Sequence, residues 1–116
     1  MSAPRVESYS FGQMVVDGET YTNDLILLPG RVVPNWWRDQ GHRLRVDDLE
    51  DVLDAQPDVL VVGTGAYGVM DVPQSTRQAI REAGIELRVA QTGDAWRTYN
   101  DLQDRQRAAG AFHLTC

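Results

Sequence analysis

The run Gly63-Thr64-Gly65-Ala66-Tyr67-Gly68 has the G-x-G-x-x-G spacing that lets backbone amides come close to an anion. Such a loop cradles a dinucleotide pyrophosphate only where a helix opens inside the motif, so that its N-terminus faces the phosphates. Here Val69-Met70-Asp71-Val72-Pro73 separates the last glycine from the next helix, and the downstream acid is ambiguous between Glu82 and Glu86. Two plainer readings remain. Either the loop amides hold a carboxylate, a water or another small anion, or the glycines serve the turn alone. Thr64 and Tyr67 bring hydroxyls that can orient a ligand or close turn hydrogen bonds. Asp71, near the mouth of the loop, is a candidate general base or a solvated acid.

His42 and His113 are the only imidazoles, and Cys116 is the only thiol. His113 and Cys116 stand three apart on an expected strand and so point to opposite faces, which argues against a Cys–His nucleophile pair. Two histidines and one cysteine without a recognisable ligand spacing give no expectation of a metal site. His42 paired with Asp39 or Asp71 is the acid–base arrangement the sequence best allows, beside a purely structural histidine. Trp36-Trp37-Arg38 offers indole faces for a cation and a guanidinium fork for a carboxylate. Adjacent tryptophans in an irregular loop do not both face a core, so one is expected to be exposed, as a pocket wall or a protein contact.

The elements that must position these groups alternate along the chain. Val6 to Val16 reads as two short strands broken near Gly12, and Asp17-Gly18 is a turn against which Thr20-Tyr21 can pair back. Leu25-Ile26-Leu27-Leu28 is an apolar run closed by Pro29-Gly30, as in a strand covered on both faces. Arg31 to Arg45 is irregular. Asp47 and Glu50 form a capping-box pattern ahead of a helix whose Leu49, Val52 and Leu53 share a face and which Pro57 stops. Val59 to Val62 is a second buried strand. A helix then opens at Pro73 and closes at Gly84 with Ile85 as the apolar contact of a glycine cap. Ile85 to Ala90 is a strand with one wetter face, and Thr92 caps a final helix lined by Ala95, Tyr99 and Leu102. Gly110 ends that helix, and Ala111 to Thr115 is the last strand. This alternation predicts an α/β domain, a sheet with helices packed on it.

At 116 residues the chain is expected to be one domain, residues 1–116, with a core of its own. Its net charge of -6, with arginine as its only basic side chain besides histidine, argues against a nucleic-acid partner. A single cysteine fits a reducing cytoplasm. The opening Met1-Ser2-Ala3-Pro4-Arg5 has no apolar stretch behind it that would make a signal peptide, and no run is long enough for a membrane span.

Several blocks in order resemble the Mth-domain family, whose members include an adipogenesis-associated protein and, more distantly, a mitochondrial complex I assembly factor. They are Phe11-Gly12-Gln13-Met14, Trp37-Arg38 with His42, Val61-Val62-Gly63-Thr64-Gly65, Val72-Pro73-Gln74-Ser75-Thr76, Gly84 to Val89 with Gln91-Thr92, Tyr99-Asn100-Asp101-Leu102, and Phe112 to Cys116. The resemblance implies a three-layer α/β domain with a central mixed sheet flanked by helices and an N-terminal β-hairpin region. It also implies a last strand antiparallel to its neighbours, where alternation alone would make it parallel. Relatives often carry a basic residue after the first glycine, where this chain has Thr64. The resemblance brings no catalytic residues with it.

The expectation is a non-enzymatic binding or assembly module without a cofactor. Its pocket would lie near Gly63–Gly68, with Trp36, Trp37, Arg38, His42, Gly63, Thr64, Gly65, Tyr67 and Asp71 as candidate binding residues. Its partner would be another protein or a small anionic ligand, with a homodimer as a further possibility and neither nucleic acid nor membrane involved. The alternative is a small-molecule enzyme in which His42, Asp71 and Tyr67 do acid–base chemistry on an anion held by the loop amides.

Overall fold

In the computed structural model, which describes residues 3–116, eight strands form two sheets. Met1 and Ser2 of the polar opening stretch lie outside the described residues. Strands β1 (Val6–Ser10), β2 (Gln13–Val16) and β3 (Glu19–Tyr21) make an antiparallel sheet in that order. The β2–β3 turn is Asp17-Gly18, both at positive φ (48° and 82°), a pair of conformations that Asp-Gly tolerates and a β-branched pair would not.

The larger sheet has the order β5-β4-β8-β6-β7. Its inner strands are β4 (Leu25–Leu28), β8 (Ala108–His113) and β6 (Val59–Thr64), each buried along its whole length. That is why β4 and β6 read as continuous apolar runs rather than as alternations. The edges are β5 (Arg31–Val33) and β7 (Glu86–Ala90), where Arg31, Glu86 and Arg88 face solvent and blunt further strand pairing. One face packs on α1 (Glu50–Ala55), α2 (Gln74–Glu82) and the loop between them and β5, around Ile26, Leu60, Val62 and Ala111. The other face packs on α3 (Thr92–Gln103) and the small sheet, around Leu25, Leu27, Val61, Tyr99 and Phe112. The result is the three-layer α/β domain with a mixed sheet. Among the described residues no helix is long and apolar enough to cross a membrane.

Several local expectations change. Strand β5 lies in the stretch read as irregular; it is a short hairpin return across Pro29-Gly30. Strand β8 begins at Ala108, α3 ends at Gln103, and Gly110 sits inside the strand instead of closing the helix. Gly110 is required there because a Cβ would stand 2.5 Å from the Phe112 ring and 3.2 Å from Tyr99. The last strand is antiparallel only to β4 and runs parallel to β6, so alternation and family resemblance were each right about one neighbour. Arg45 holds the capping position expected of Asp47, and Asp48 rather than Glu50 reaches back to the cap amide (2.9 Å), because the helical segment starts earlier as a 3-10 turn over Val46–Leu49. Pro73 is the residue just outside α2, and Gln91 holds the equivalent place for α3. The Thr92 hydroxyl is spent elsewhere, as described below. Gly84 (φ 82°) does close α2, with the Ile85 amide bonded to the Ile80 carbonyl.

Candidate functional site

Asp24 immediately precedes β4, and His113 ends β8. Because β4 and β8 are antiparallel with Leu25 opposite Phe112, the two meet at the same end of the sheet. Thr64, at the end of β6, is paired with His113 in register, so Asp24, His113 and Thr64 follow one another across three strands on the α1/α2 face. This is the carboxyl end of parallel strands β6 and β7, beside the point where the sheet changes from parallel to antiparallel, a place where α/β sheets present functional groups.

The loop after β5 lays Arg38 over this row. Its side chain is only 4% exposed, and its guanidinium stacks 4.6 Å from the Trp36 ring centroid. Arg38 Nη2 forms an ion pair with Asp24 Oδ2 (2.8 Å) and, with Nε, donates to the Gly41 carbonyl (2.8 and 3.1 Å). Nη2 also lies 3.1 Å from His113 Nδ1, which accepts from the guanidinium in the tautomer whose proton is on Nε2. His113 Nδ1 stands 2.8 Å from Asp24 Oδ2 as well, and donates to that carboxylate when the proton is on Nδ1. Asp24 Oδ1 accepts the Leu114 amide (2.7 Å). Burial alone would raise the Asp24 carboxyl, but the hydrogen bonds from His113 and the Leu114 amide, with Arg38, hold it below its ordinary value. Arg38 Nη1 and His113 Nε2 remain buried without a partner. The exposed His42 ring meets His113 edge-on, with centroids 5.7 Å apart.

Of the residues singled out from sequence, Arg38, His42 and Thr64 come together here, and Asp24 and His113 complete the group. Trp36 is buried, donating its indole N–H to the Asp48 carbonyl (2.9 Å), whereas Trp37 is 76% exposed. The pair divides as expected. His42, Asp71 and Tyr67 do not form an acid–base constellation: the Asp71 amide donates to the His42 carbonyl (2.8 Å), and Tyr67 leans on Phe11 with centroids 6.1 Å apart. Among the described residues no hydrogen bond joins their side chains, and none joins His42 to Asp39.

The Gly63–Gly68 loop is filled by its own chain. The Gly65 amide donates to the Thr92 hydroxyl (2.9 Å), which donates in turn to the His113 carbonyl (2.6 Å). Ala66 donates to the Thr115 carbonyl, Tyr67 and Val69 to the Cys116 carbonyl, Gly68 to Gly65 and Met70 to Thr64. The amides expected to hold an anion are thus committed. Gly63 and Gly65 are glycines because side chains there would collide, with Thr92 Oγ1 at 2.7 Å and with the Cys116 backbone at 2.3 Å. No group of three or more His, Cys, Asp or Glu side chains is placed to hold a metal ion among the described residues.

The segment Leu114–Cys116 also gathers the exposed apolar side chains. The Leu114 carbonyl accepts the Gly12 amide beside Phe11, and the Cys116 carbonyl accepts the amides of Tyr67 and Val69. Leu114 and Thr115 wall a cleft of about 420 Å³ together with Asn23, Asp24, Asn35 and Trp37. Among the described residues the exposed large apolar ones are Phe11, Trp37, Tyr67 and Val69, each on a stretch that bonds this segment or shares a cleft with it. The cleft lies beside the Trp37 loop rather than at Gly63–Gly68.

Residues 6–113 match the family described as a protein of unknown function (DUF498/DUF598). The chain is 31% identical over 109 residues to the NADH dehydrogenase (ubiquinone) 1 alpha subcomplex assembly factor 3 of Mus musculus, over 91% of this chain and 57% of that protein. It therefore spans little more than half the length of that relative. Its fold is similar to the crystal structure of a conserved hypothetical protein from Pyrococcus horikoshii OT3, with 26% identity and a TM-score of 0.81 over 97% of this chain and 99% of that one. A Mth938-like domain from Bordetella pertussis, solved in solution, shares the fold at 21% identity and a TM-score of 0.66, over 96% of this chain and 85% of that one. The chain belongs to the DUF498 family, with the Mth-like fold its sequence blocks resemble.

Proposed function

We propose that this chain is a protein-binding module of the assembly kind, and that it meets its partner with the sheet end around Leu114–Cys116. The observation that carries this reading is the gathering of Phe11, Trp37, Tyr67 and Val69, exposed by 58%, 76%, 73% and 47%, at one end of an otherwise well-covered domain. Exposed aromatics held on a rigid base make low-entropy contact area, the usual anchor of a protein interface. The similarity to a protein named as an assembly factor supports the same reading. The buried Asp24–Arg38–His113 group serves as the base that fixes the Trp37 loop and the Leu114–Cys116 segment against one another.

The test is quantitative cross-linking and co-purification of the full chain from its own host, beside Trp37→Ser and Tyr67→Ser. The expected outcome is a defined partner whose recovery falls roughly tenfold or more in each variant while thermal unfolding is unchanged. Recovery that ignores both substitutions would count against this surface. Sedimentation of the purified chain at rising concentration identifies the case in which the partner is a second copy.

A further inference from the structure

We infer that Trp37 anchors a basic, extended segment of the partner; the inference rests on the protein-binding reading above and names the chemistry of what binds. Trp37 is a ridge between two clefts that share Asn35, Trp36 and Trp37 as walls. One is the cleft of about 420 Å³ lined by Asn23, Asn35 and Thr115, a row of side chains able to hydrogen-bond a peptide backbone. The other, of about 370 Å³, has Val33 and Trp36 among its apolar walls and carries the carboxylates of Asp47, Asp48, Glu50 and Asp51.

These carboxylates are not equally committed. Asp48 accepts the Arg45 and Asp39 amides. Asp51 faces Arg31 at 3.8 Å, with both side chains substantially exposed, a weak contact. Asp47 and Glu50 take no part in any ion pair among the described residues. Acids at the start of a helical segment complement its dipole, which accounts for their being acidic. It does not account for an indole 76% exposed beside them.

The chain's own arginines show what an indole attracts. Arg38 lies over the Trp36 ring at 4.6 Å and Arg97 over the Trp96 ring at 5.0 Å, whereas Trp37 has no such cation among the described residues. A partner's arginine or lysine would lay its aliphatic stem and cation on Trp37 and direct its charge to Asp47 and Glu50. The net charge of -6 steers the same kind of partner toward the protein and repels an acidic one.

The test titrates isotopically labelled full chain with a short peptide alternating arginine and alanine, and with its counterpart carrying glutamate for arginine. The expected result is a shift of the Trp37 indole N–H and the Asn35 amide with the arginine peptide alone. That affinity should fall roughly tenfold in Trp37→Ala and in the double variant Asp47→Asn with Glu50→Gln, and should weaken with added salt. No shift at Trp37 by about 1 mM arginine peptide, or equal shifts with the glutamate peptide, overturns the inference. A cellular partner lost with Trp37→Ser but kept by the charge-neutral double variant overturns the basic segment and leaves protein binding standing. A partner kept by both removes both readings.

Discussion

Asp24 ties together three separate stretches of this molecule. One of its oxygens takes Arg38 and His113, the other takes the Leu114 amide, and its own carbonyl takes the Trp36 amide at 2.7 Å. Asp24→Asn keeps the shape but leaves the Arg38 charge buried without its counter-ion, and should cost about 3 kcal/mol or more in urea unfolding. The pH dependence follows from the lowered carboxyl. Between the folded value and the ordinary 3.8, the unfolded chain binds the extra proton, so stability rises with pH across that interval. The contribution is fully present above about pH 4 and is lost as pH falls through the folded value. Asp24→Asn should therefore flatten the acid limb of a stability-versus-pH curve; an unchanged limb would mean other carboxylates set it. Arg38 and His42 were legible in the sequence as polar residues of the tryptophan-bearing irregular stretch, and Thr64 as a hydroxyl of the glycine loop. His113 was legible only against Cys116, and Asp24 not at all, because 89 residues separate the two and only the adjacency of β4 and β8 brings them together. A chain read strand by strand has no signal for which strands will be neighbours.

The elements differ in how plainly their residues announce them. Strands β4 and β6 are runs of large apolar residues and were read directly, whereas β8 opens Ala108-Ala109-Gly110-Ala111, a string with weak strand preference. Its place is decided by packing: the Phe112 and Tyr99 rings occupy the space above Gly110 that a side chain would need. Gly110→Ala should cost about 1–3 kcal/mol through overpacking, and Gly63→Ala, whose Cβ would meet Thr92 Oγ1 and the Phe112 ring, should behave alike in thermal unfolding. The adjacent Tyr99 and Asn100 have a second duty that sequence did not show, fastening the first strand to the last helix. Tyr99 donates to the Pro4 carbonyl (2.6 Å), and Asn100 bonds both the amide and the carbonyl of Val6 (3.0 and 2.7 Å). Burial first, and then the Asp17 charge, raise the Tyr99 phenol above its ordinary value. Its contribution to stability is whole below about pH 10, where the unfolded chain also keeps the proton, and is lost as pH climbs toward the raised folded value. Tyr99→Phe should cost about 1 kcal/mol near neutrality and remove part of the alkaline loss of stability. An alkaline limb of unchanged steepness would assign that loss to other groups.

As a whole, the domain has two apolar faces on one sheet, with Trp36 on the first and Trp96 against the second. Since β4, β6 and β8 belong to both, the faces should unfold together. Variants retaining only Trp36 or only Trp96 are expected to report the same urea midpoint by fluorescence, and separated midpoints would show two cooperative units. The sheet order carries one more consequence, for biosynthesis. Strand β8 is the last of the sheet to be made, yet it lies between β4 and β6. Until residues 108–113 emerge from the ribosome, the hairpin β4–β5 and the pair β6–β7 have nothing to join them, and the apolar flanks of β4 and β6 stand open. The nascent domain therefore cannot close its core until β8 is made, and then completes it in a step that joins strands far apart in sequence. For that interval its solubility depends on factors outside the fold, and a holding chaperone should bind ribosome-bound chains ending before Ala108 and release those extending well past His113.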